Sequence, residues 1–188
     1  ARVLGPAHES IPSRDVALGE GSSFALLGTR FEVLDVPGHT AGHIAYFCPD
    51  LAPPALFCGD TLFAAGCGRL FEGTPAQMLA SLDKLAGLPP ATRVYCAHEY
   101  TLANLHFAAA ADPHNPAVVE RTARAAALRQ AGQPTVPSTL AEEHLTNPFL
   151  RAGEAALRAG AAQRDARAAS DRLASFAALR AWKDSFRA

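Results

Sequence analysis

No stretch of this sequence is apolar for long enough to span a membrane, and its first residues carry neither the charged nor the apolar region of a secretory leader. No basic excess exists either. Seventeen Lys and Arg face 18 Asp and Glu, a net charge of -1, which removes any general reason to expect nucleic acid, although a local cationic patch could hold an anion. The four cysteines, Cys48, Cys58, Cys67 and Cys96, make no CxxC pair. Three of them fall in or beside apolar runs, so buried reduced thiols are expected, not disulfides or a zinc knuckle, and with them a reducing, cytoplasmic setting. There is no internal repeat. What the chain has is core material: 49% of its 188 residues are hydrophobic and 19% charged, enough for one sizeable core with a small appendage. It opens with Ala1 and runs at once into Val3-Leu4-Gly5-Pro6, as though inside a domain, and is read as a fragment.

Apolar runs at Ser23 to Leu27, Phe31 to Val36, Ile44 to Cys48, Ala55 to Cys58 and Thr92 to Cys96 predict strands, with Gly28-Thr29 as a tight turn between the first two. Thr74 and Pro75 predict a helix start, Gly87 with Pro89-Pro90 its end, and Met78, Leu79, Leu82 and Leu85 its core-facing stripe. A further helix is predicted from about Leu102 to Ala111, completing an α/β pattern. From Asp112 the character changes. An Ala- and Arg-rich tail predicts helices over Val118 to Gln130, Glu154 to Ala169 and Arg172 to Lys183, with Gly132 to Pro148 as a proline-bearing connector. The division is therefore an α/β domain at 1–111 and a helical domain at 112–188.

Pro37-Gly38-His39-Thr40-Ala41-Gly42-His43 lies between two strands, and its glycines and proline exclude a helix on which both histidines would share a face. His39, Asp60 and His98 each follow the C-terminal end of a predicted strand. Strands lying side by side and running the same way would bring the three to one sheet edge, where sites of α/β folds are built. Imidazole with carboxylate suits zinc, iron or manganese, and a carboxylate can bridge two ions. On spacing alone the alternatives stay open: Asp60 as a turn cap, His98 as a buried histidine bonded to Glu99 or to backbone.

The strings around these residues carry more. The His39 stretch, Cys58-Gly59-Asp60-Thr61-Leu62-Phe63, Ala65-Gly66-Cys67-Gly68-Arg69-Leu70-Phe71-Glu72-Gly73-Thr74 and Ala97-His98-Glu99-Tyr100-Thr101 resemble, in order, motifs of the metallo-β-lactamase superfamily. With Asn147-Pro148-Phe149-Leu150-Arg151 and the closing Leu179-Arg180-Ala181-Trp182-Lys183-Asp184-Ser185-Phe186, they resemble the glyoxalase II (hydroxyacylglutathione hydrolase) family over nearly the whole chain. The resemblance implies the C-terminal half of a metallo-β-lactamase-type αβ/βα sandwich followed by a small helical, glutathione-binding domain. It implies a monomeric enzyme that hydrolyses the thioester S-D-lactoylglutathione to glutathione and D-lactate by a metal-bridged hydroxide, the second step of methylglyoxal detoxification. Two divalent ions are implied, zinc before iron or manganese, with Asp60 as their bridge, His39 completing one shell and His98 the other. Arg69, Tyr100, Arg180 and Lys183 are implied as glutathione-binding residues. The spacing of Arg180 and Lys183 puts both on one helical face, as a joint anion site requires. Phe71 stands where some members carry a tyrosine, so that hydroxyl contact is absent. His43 is expected to support the site; His8, His106, His114 and His144 are expected on the surface or in packing.

One departure is large. The superfamily's Thr-His-x-His-x-Asp-His string, which supplies four ligands upstream of the His39 motif, is missing. Three remaining ligands under-coordinate two ions, and half a sheet exposes an apolar face. The sequence is accordingly read as the C-terminal part of a longer enzyme, with this polypeptide alone inactive or weakly active. The alternatives are a persulfide dioxygenase or general metallo-hydrolase of the same superfamily, or a non-catalytic glutathione-binding module.

Overall fold

The computed structural model describes residues 1–187. Two short parallel strands, β1 (Leu4–Pro6) and β2 (Val16–Leu18), precede a hairpin of β3 (Ser23–Leu26) and β4 (Thr29–Asp35). Leu27 and Gly28 join the hairpin at φ 51° and 78°, the left-handed geometry of a two-residue turn that glycine adopts without strain. Then come β5 (Ile44–Cys48), β6 (Ala55–Gly59), a small antiparallel hairpin of β7 (Leu62–Phe63) and β8 (Gly66–Cys67), helix α1 (Pro75–Ala86) and β9 (Arg93–Cys96). Helices α2 (Thr101–Ala111) and α3 (Pro116–Gln130), strand β10 (Ser138–Thr139), α4 (Leu140–Thr146), α5 (Ala155–Ala162), a 3-10 turn at Ala166–Ala169 and α6 (Arg172–Ser185) complete the chain.

The main sheet has six strands in the order β10-β9-β6-β5-β4-β3. The β6 and β9 strands pair in parallel, while β4, β5 and β6 alternate in direction. The three strands that carry the candidate ligands therefore do run the same way, but β5 stands between β4 and β6, so they are not all neighbours. Their C-terminal ends still share one edge.

The core lies on one face of this sheet. Val36, Ala45, Phe47, Leu56, Cys58 and Val94 meet Met78, Leu79, Leu82 and Leu85 of α1 and Phe107, Leu140, Phe149, Phe176 and Leu179 of the helical layer. Helix α1 forms as its ends predict: the Thr74 hydroxyl accepts from the Gln77 N–H at 3.2 Å, and the Gln77 side chain accepts from the Thr74 N–H at 2.9 Å.

Two expectations in the helical region change. The predicted helix over Glu154 to Ala169 stops at Ala162, and Asp165 starts a separate 3-10 turn by accepting from the Arg167 N–H. The Gly132 to Pro148 connector contains a helix of its own, α4, started by the Thr139 hydroxyl, which accepts from the Glu142 N–H at 3.2 Å. Seven residues between two proline-bearing segments are too short to show a helical period. All four cysteines are free, three of them buried.

Candidate active site

His39 sits on the turn between β4 and β5, and that turn is seated on α1. The Ser81 hydroxyl donates to the Pro37 carbonyl at 2.7 Å, and a Cβ on Gly38 would stand 2.8 Å from that of Met78. Glycine is required there by contact, and its φ of 151° suits no other residue. The Nδ1 of His39 lies 2.9 Å from the Arg69 carbonyl. A carbonyl only accepts, so Nδ1 is the donor, and in the neutral ring this leaves Nε2 as the nitrogen that can bind a metal.

Asp60 follows β6 through Gly59, at φ 52°. The Asp60 N–H donates to Nε2 of His43 at 3.1 Å, and a Cβ on Gly59 would come within 2.5 Å of that same nitrogen. Burial holds the His43 imidazole below its ordinary pKa, more than the Asp60 charge raises it, so the ring stays neutral and accepts. His43 thus fixes the backbone that aims Asp60. His98, just past β9, has Nε2 3.5 Å from Asp60 Oδ1 and stacks on Tyr100 with ring centroids 5.0 Å apart.

These residues line a cavity of about 630 Å³. His39, Asp60 and His98 are in its lining, and so are Arg69, Tyr100 and Lys183. Among the described residues no three His, Cys, Asp or Glu side chains gather closely enough to hold a metal ion by themselves. Asp60 and His98 meet, and His39 joins them only as part of the same cavity lining. The donor types and the His39 tautomer fit a divalent ion, but these residues form only a partial shell.

Of the implied glutathione-binding residues, the structure brings Arg69, Tyr100 and Lys183 to the cavity and leaves Arg180 behind its wall. Arg180 is 4% exposed; it donates through Nη1 to the Cys67 carbonyl at 2.9 Å and through Nη2 to Asp184 at 3.0 Å, and its guanidinium lies over the Phe149 ring. It braces the loop that bears Arg69. Asp184 ties the two arginines together, since its Oδ1 is also 3.7 Å from Nε of Arg69. The Nζ of Lys183 donates to the Ala103 carbonyl at 3.0 Å and stands over the rings of Phe107 and Phe186. Burial, with Arg180 and Arg69 close by, lowers its pKa to about 8.

What holds the Asp60-to-Arg69 loop in place is a buried carboxylate from the helical region. Glu143, on α4 and fully buried, accepts from the Ala65 N–H at 2.8 Å, from Asn147 Nδ2 at 3.0 Å and from Arg121 Nη2 at 2.6 Å. Ala65 has φ 54°, a strained value for alanine, at the tip of the β7–β8 hairpin. Asn147 also donates to the Gly66 and Phe63 carbonyls, and Asn104 to that of Ala64. The hairpin is short because its far strand must return to Asp60: Gly68 N–H donates to the Thr61 carbonyl at 3.1 Å, and no Cβ fits at Gly68 beside the Asp60 carbonyl. Sequence reasoning missed Glu143, Asn104 and Asp184. The only available signal was the four-residue spacing of Asp184 from Arg180, which puts them on one helical face.

Residues 2–98 match the model of the metallo-beta-lactamase superfamily, and residues 99–186 the model described as hydroxyacylglutathione hydrolase C-terminus. The chain is 56% identical over 186 residues to the hydroxyacylglutathione hydrolase of Ectopseudomonas mendocina (strain ymp), a match over 99% of this chain and 72% of that protein. It is 60% identical over 189 residues to the Cupriavidus taiwanensis hydroxyacylglutathione hydrolase, a match over 98% of this chain and 70% of the other. Among solved structures, ETHE1 from Myxococcus xanthus superposes with a TM-score of 0.60 at 22% identity, over 98% of this chain and 58% of that one, which establishes likeness of fold.

Proposed function

The chain belongs to the hydroxyacylglutathione hydrolase family, and from that membership we propose that its cavity hydrolyses a glutathione thioester, S-D-lactoylglutathione, to glutathione and D-lactate. One observation carries the reading: a single cavity is lined both by the candidate metal donors His39, Asp60 and His98 and by cationic and aromatic groups that suit a dianionic tripeptide. Membership of the metallo-beta-lactamase superfamily implies use of a divalent metal. Asp60, His98 and His39 would hold it, with two ions the expected number and zinc first among the candidates. When bound, the metal supplies a nucleophile from water near neutral pH and polarises the thioester carbonyl.

The rest is work for this chain's own side chains. Arg69 and Lys183 attract the glutathione carboxylates, and Tyr100, stacked on His98, offers a ring and a hydroxyl to the peptide. Arg180 positions Arg69 through Asp184 and the Cys67 carbonyl. The thiolate leaving group is weakly basic, so departure needs little help from a general acid. The match of residues 99–186 covers Lys183 and its helix, which favours the hydrolase over a dioxygenase of the same fold.

Because its donors form a partial shell, the 188-residue polypeptide by itself is expected to bind metal weakly and turn over slowly. The test pairs calorimetric binding of S-methylglutathione, which has no thioester to cleave, with release of thiol from S-D-lactoylglutathione in added zinc. Binding that Arg69→Ala weakens about tenfold supports the reading. No binding by the unaltered chain defeats it.

A further inference from the structure

The His39 turn and the stretch from Arg69 to Gly73 are joined along their length. His39 Nδ1 donates to the Arg69 carbonyl at 2.9 Å, the Phe71 N–H to the His39 carbonyl at 3.2 Å, and the Gly73 N–H to the Gly38 carbonyl at 3.2 Å. The Phe71 ring lies against the imidazole with centroids 4.8 Å apart, and a Cβ on Gly73 would stand 2.5 Å from Cα of Gly38. All of these hold His39 or the residue before it. Beyond His39 the stretch supplies one more contact, from a side chain: Glu72 Oε2 accepts from the Ala41 N–H at 2.8 Å. The next N–H of the turn, that of Gly42, goes to Glu9 at 2.8 Å, beside His43.

We propose that Glu72 is a positioning residue for His39: it pins the turn on the side that the main-chain contacts leave free, so that the imidazole keeps Nδ1 on the Arg69 carbonyl and Nε2 available to a metal. The inference rests on the reading of His39 as a metal donor. Among the described residues, the main-chain bonds between the two stretches end at His39, and Glu72 carries the join on to Ala41. Glu72 and Ala41 are both exposed. An exposed N–H can bond to water instead, so this bond adds little to the stability of the fold. What it fixes is a place.

Place is what a donor on a turn needs. A working side chain must be held within about 0.5 Å of its geometry, and the acceptor on the second ring nitrogen of a histidine sets both its tautomer and its orientation. With Glu72 removed, the turn is tied to its neighbour on one side of His39 only. The imidazole then moves off the Arg69 carbonyl and loses its preference for one tautomer. The same five residues bring the Arg69 side chain to the cavity, so one stretch sets a substrate cation and a metal donor together. Arg69 has its own support in Asp184, which makes the two effects separable.

The experiment records long-range proton–nitrogen correlation spectra of the full chain at pH 8, where a neutral ring shows which nitrogen bears the proton, with His39→Gln identifying the His39 signals. Glu72→Ala should lower the His39 preference for the Nδ1–H form about fivefold, the shift that one ordinary hydrogen bond carries, while His43 and His98 keep theirs. Glu72→Gln retains an acceptor and should restore the parent ratio. The melting temperature should move by less than about 3 °C in either variant. Zinc alone, titrated by calorimetry, should bind Glu72→Ala about fivefold more weakly than the parent, in step with the tautomer ratio. An unchanged His39 ratio in Glu72→Ala overturns the proposal, and so does unchanged affinity where the parent binds zinc. A change shared by His43 and His98 that Glu72→Gln fails to restore overturns it too, since that marks a loosened fold. Failure of the functional reading shows differently, as a parent chain that binds neither zinc nor S-methylglutathione, and the tautomer ratio then still decides whether Glu72 positions His39.

Discussion

The two faces of the six-stranded sheet are made from the same strands and differ in fate. One face, with Ala45, Phe47, Leu56, Cys58 and Val94, is closed by α1 and the helical layer. The other has a row of rings across five strands: Phe24, Phe31, Tyr46, Phe57 and Tyr95, with neighbouring centroids 5.0 to 6.2 Å apart. The β1–β2 pair covers only the Val33 and Ile44 end of it. Beyond that lies an open concavity of about 880 Å³, larger than the candidate active site and without its chemistry, and Phe57 is 40% exposed. Continuous apolar runs such as Ile44–Cys48 belong to strands that are buried on both sides. Here one side has its second layer and the other shields itself by stacking ring on ring.

The largest effect should come from breaking the closed side at its polar centre. Glu143→Ala leaves Arg121 without its closest carboxylate, and leaves the Ala65 N–H without its acceptor. It is expected to cost about 3–5 kcal/mol in urea unfolding and to abolish S-methylglutathione binding, because the Arg69 loop loses its anchor. A variant as stable as the parent would show that the hairpin is held by its own strand pairing.

Next comes a direct contrast between adjacent residues of β6 that face opposite ways. Leu56→Ala, under the helices, should cost about 2–5 kcal/mol, while Phe57→Ala, on the open row, should cost under about 1 kcal/mol. Equal costs would mean that the ring face is covered in solution. The same face should bind the dye ANS under native conditions, and Phe57→Lys should lower that fluorescence several-fold. Dye binding that Phe57→Lys leaves unchanged would place the exposed apolar surface elsewhere.

The smallest effect concerns the rim of the closed side. Lys183 releases its proton near pH 8 in the fold but near 10.5 in an unfolded chain. Below pH 8 both states hold the proton, and the fold bears the whole cost of a half-buried charge. Between 8 and 10.5 the unfolded state binds more protons, so stability rises with pH, and above 10.5 the cost has gone. Lys183→Met should flatten that rise when melting temperature is followed from pH 7 to 10. An unchanged slope would place the proton loss on another group.

Much of the site was legible before any coordinates. His39, Asp60 and His98 were legible as candidates because each follows an apolar strand, the first two directly after a glycine, and glycines at 38, 59 and 68 mark contacts too close for a side chain. Lys183 was found through its motif. Arg180 was found too, yet its position behind the wall could not be read: one helical face can turn one residue to a cavity and another, one turn away, into a core. Glu143 was invisible for a related reason. An acidic residue in a short helix reads as a solvated surface, and only the convergence of Arg121, Asn147 and the Ala65 N–H, up to 78 residues apart, turns it into a buried acceptor.

By itself, then, the sequence determined the elements with strong local signals: the apolar strand runs, the capped α1, the Gly28 hairpin turn and the glycine-set turns bearing His39 and Asp60. Those depend on backbone sterics and on side-chain hydrogen bonds within a few residues. Tertiary structure alone decided which face of the sheet is closed and which of the two motif cations meets the cavity. It also decided that a helix inside a proline-bearing connector anchors the active-site loop. Each of these depends on what lies opposite in space, where burial sets the cost of every unpaired charge and donor.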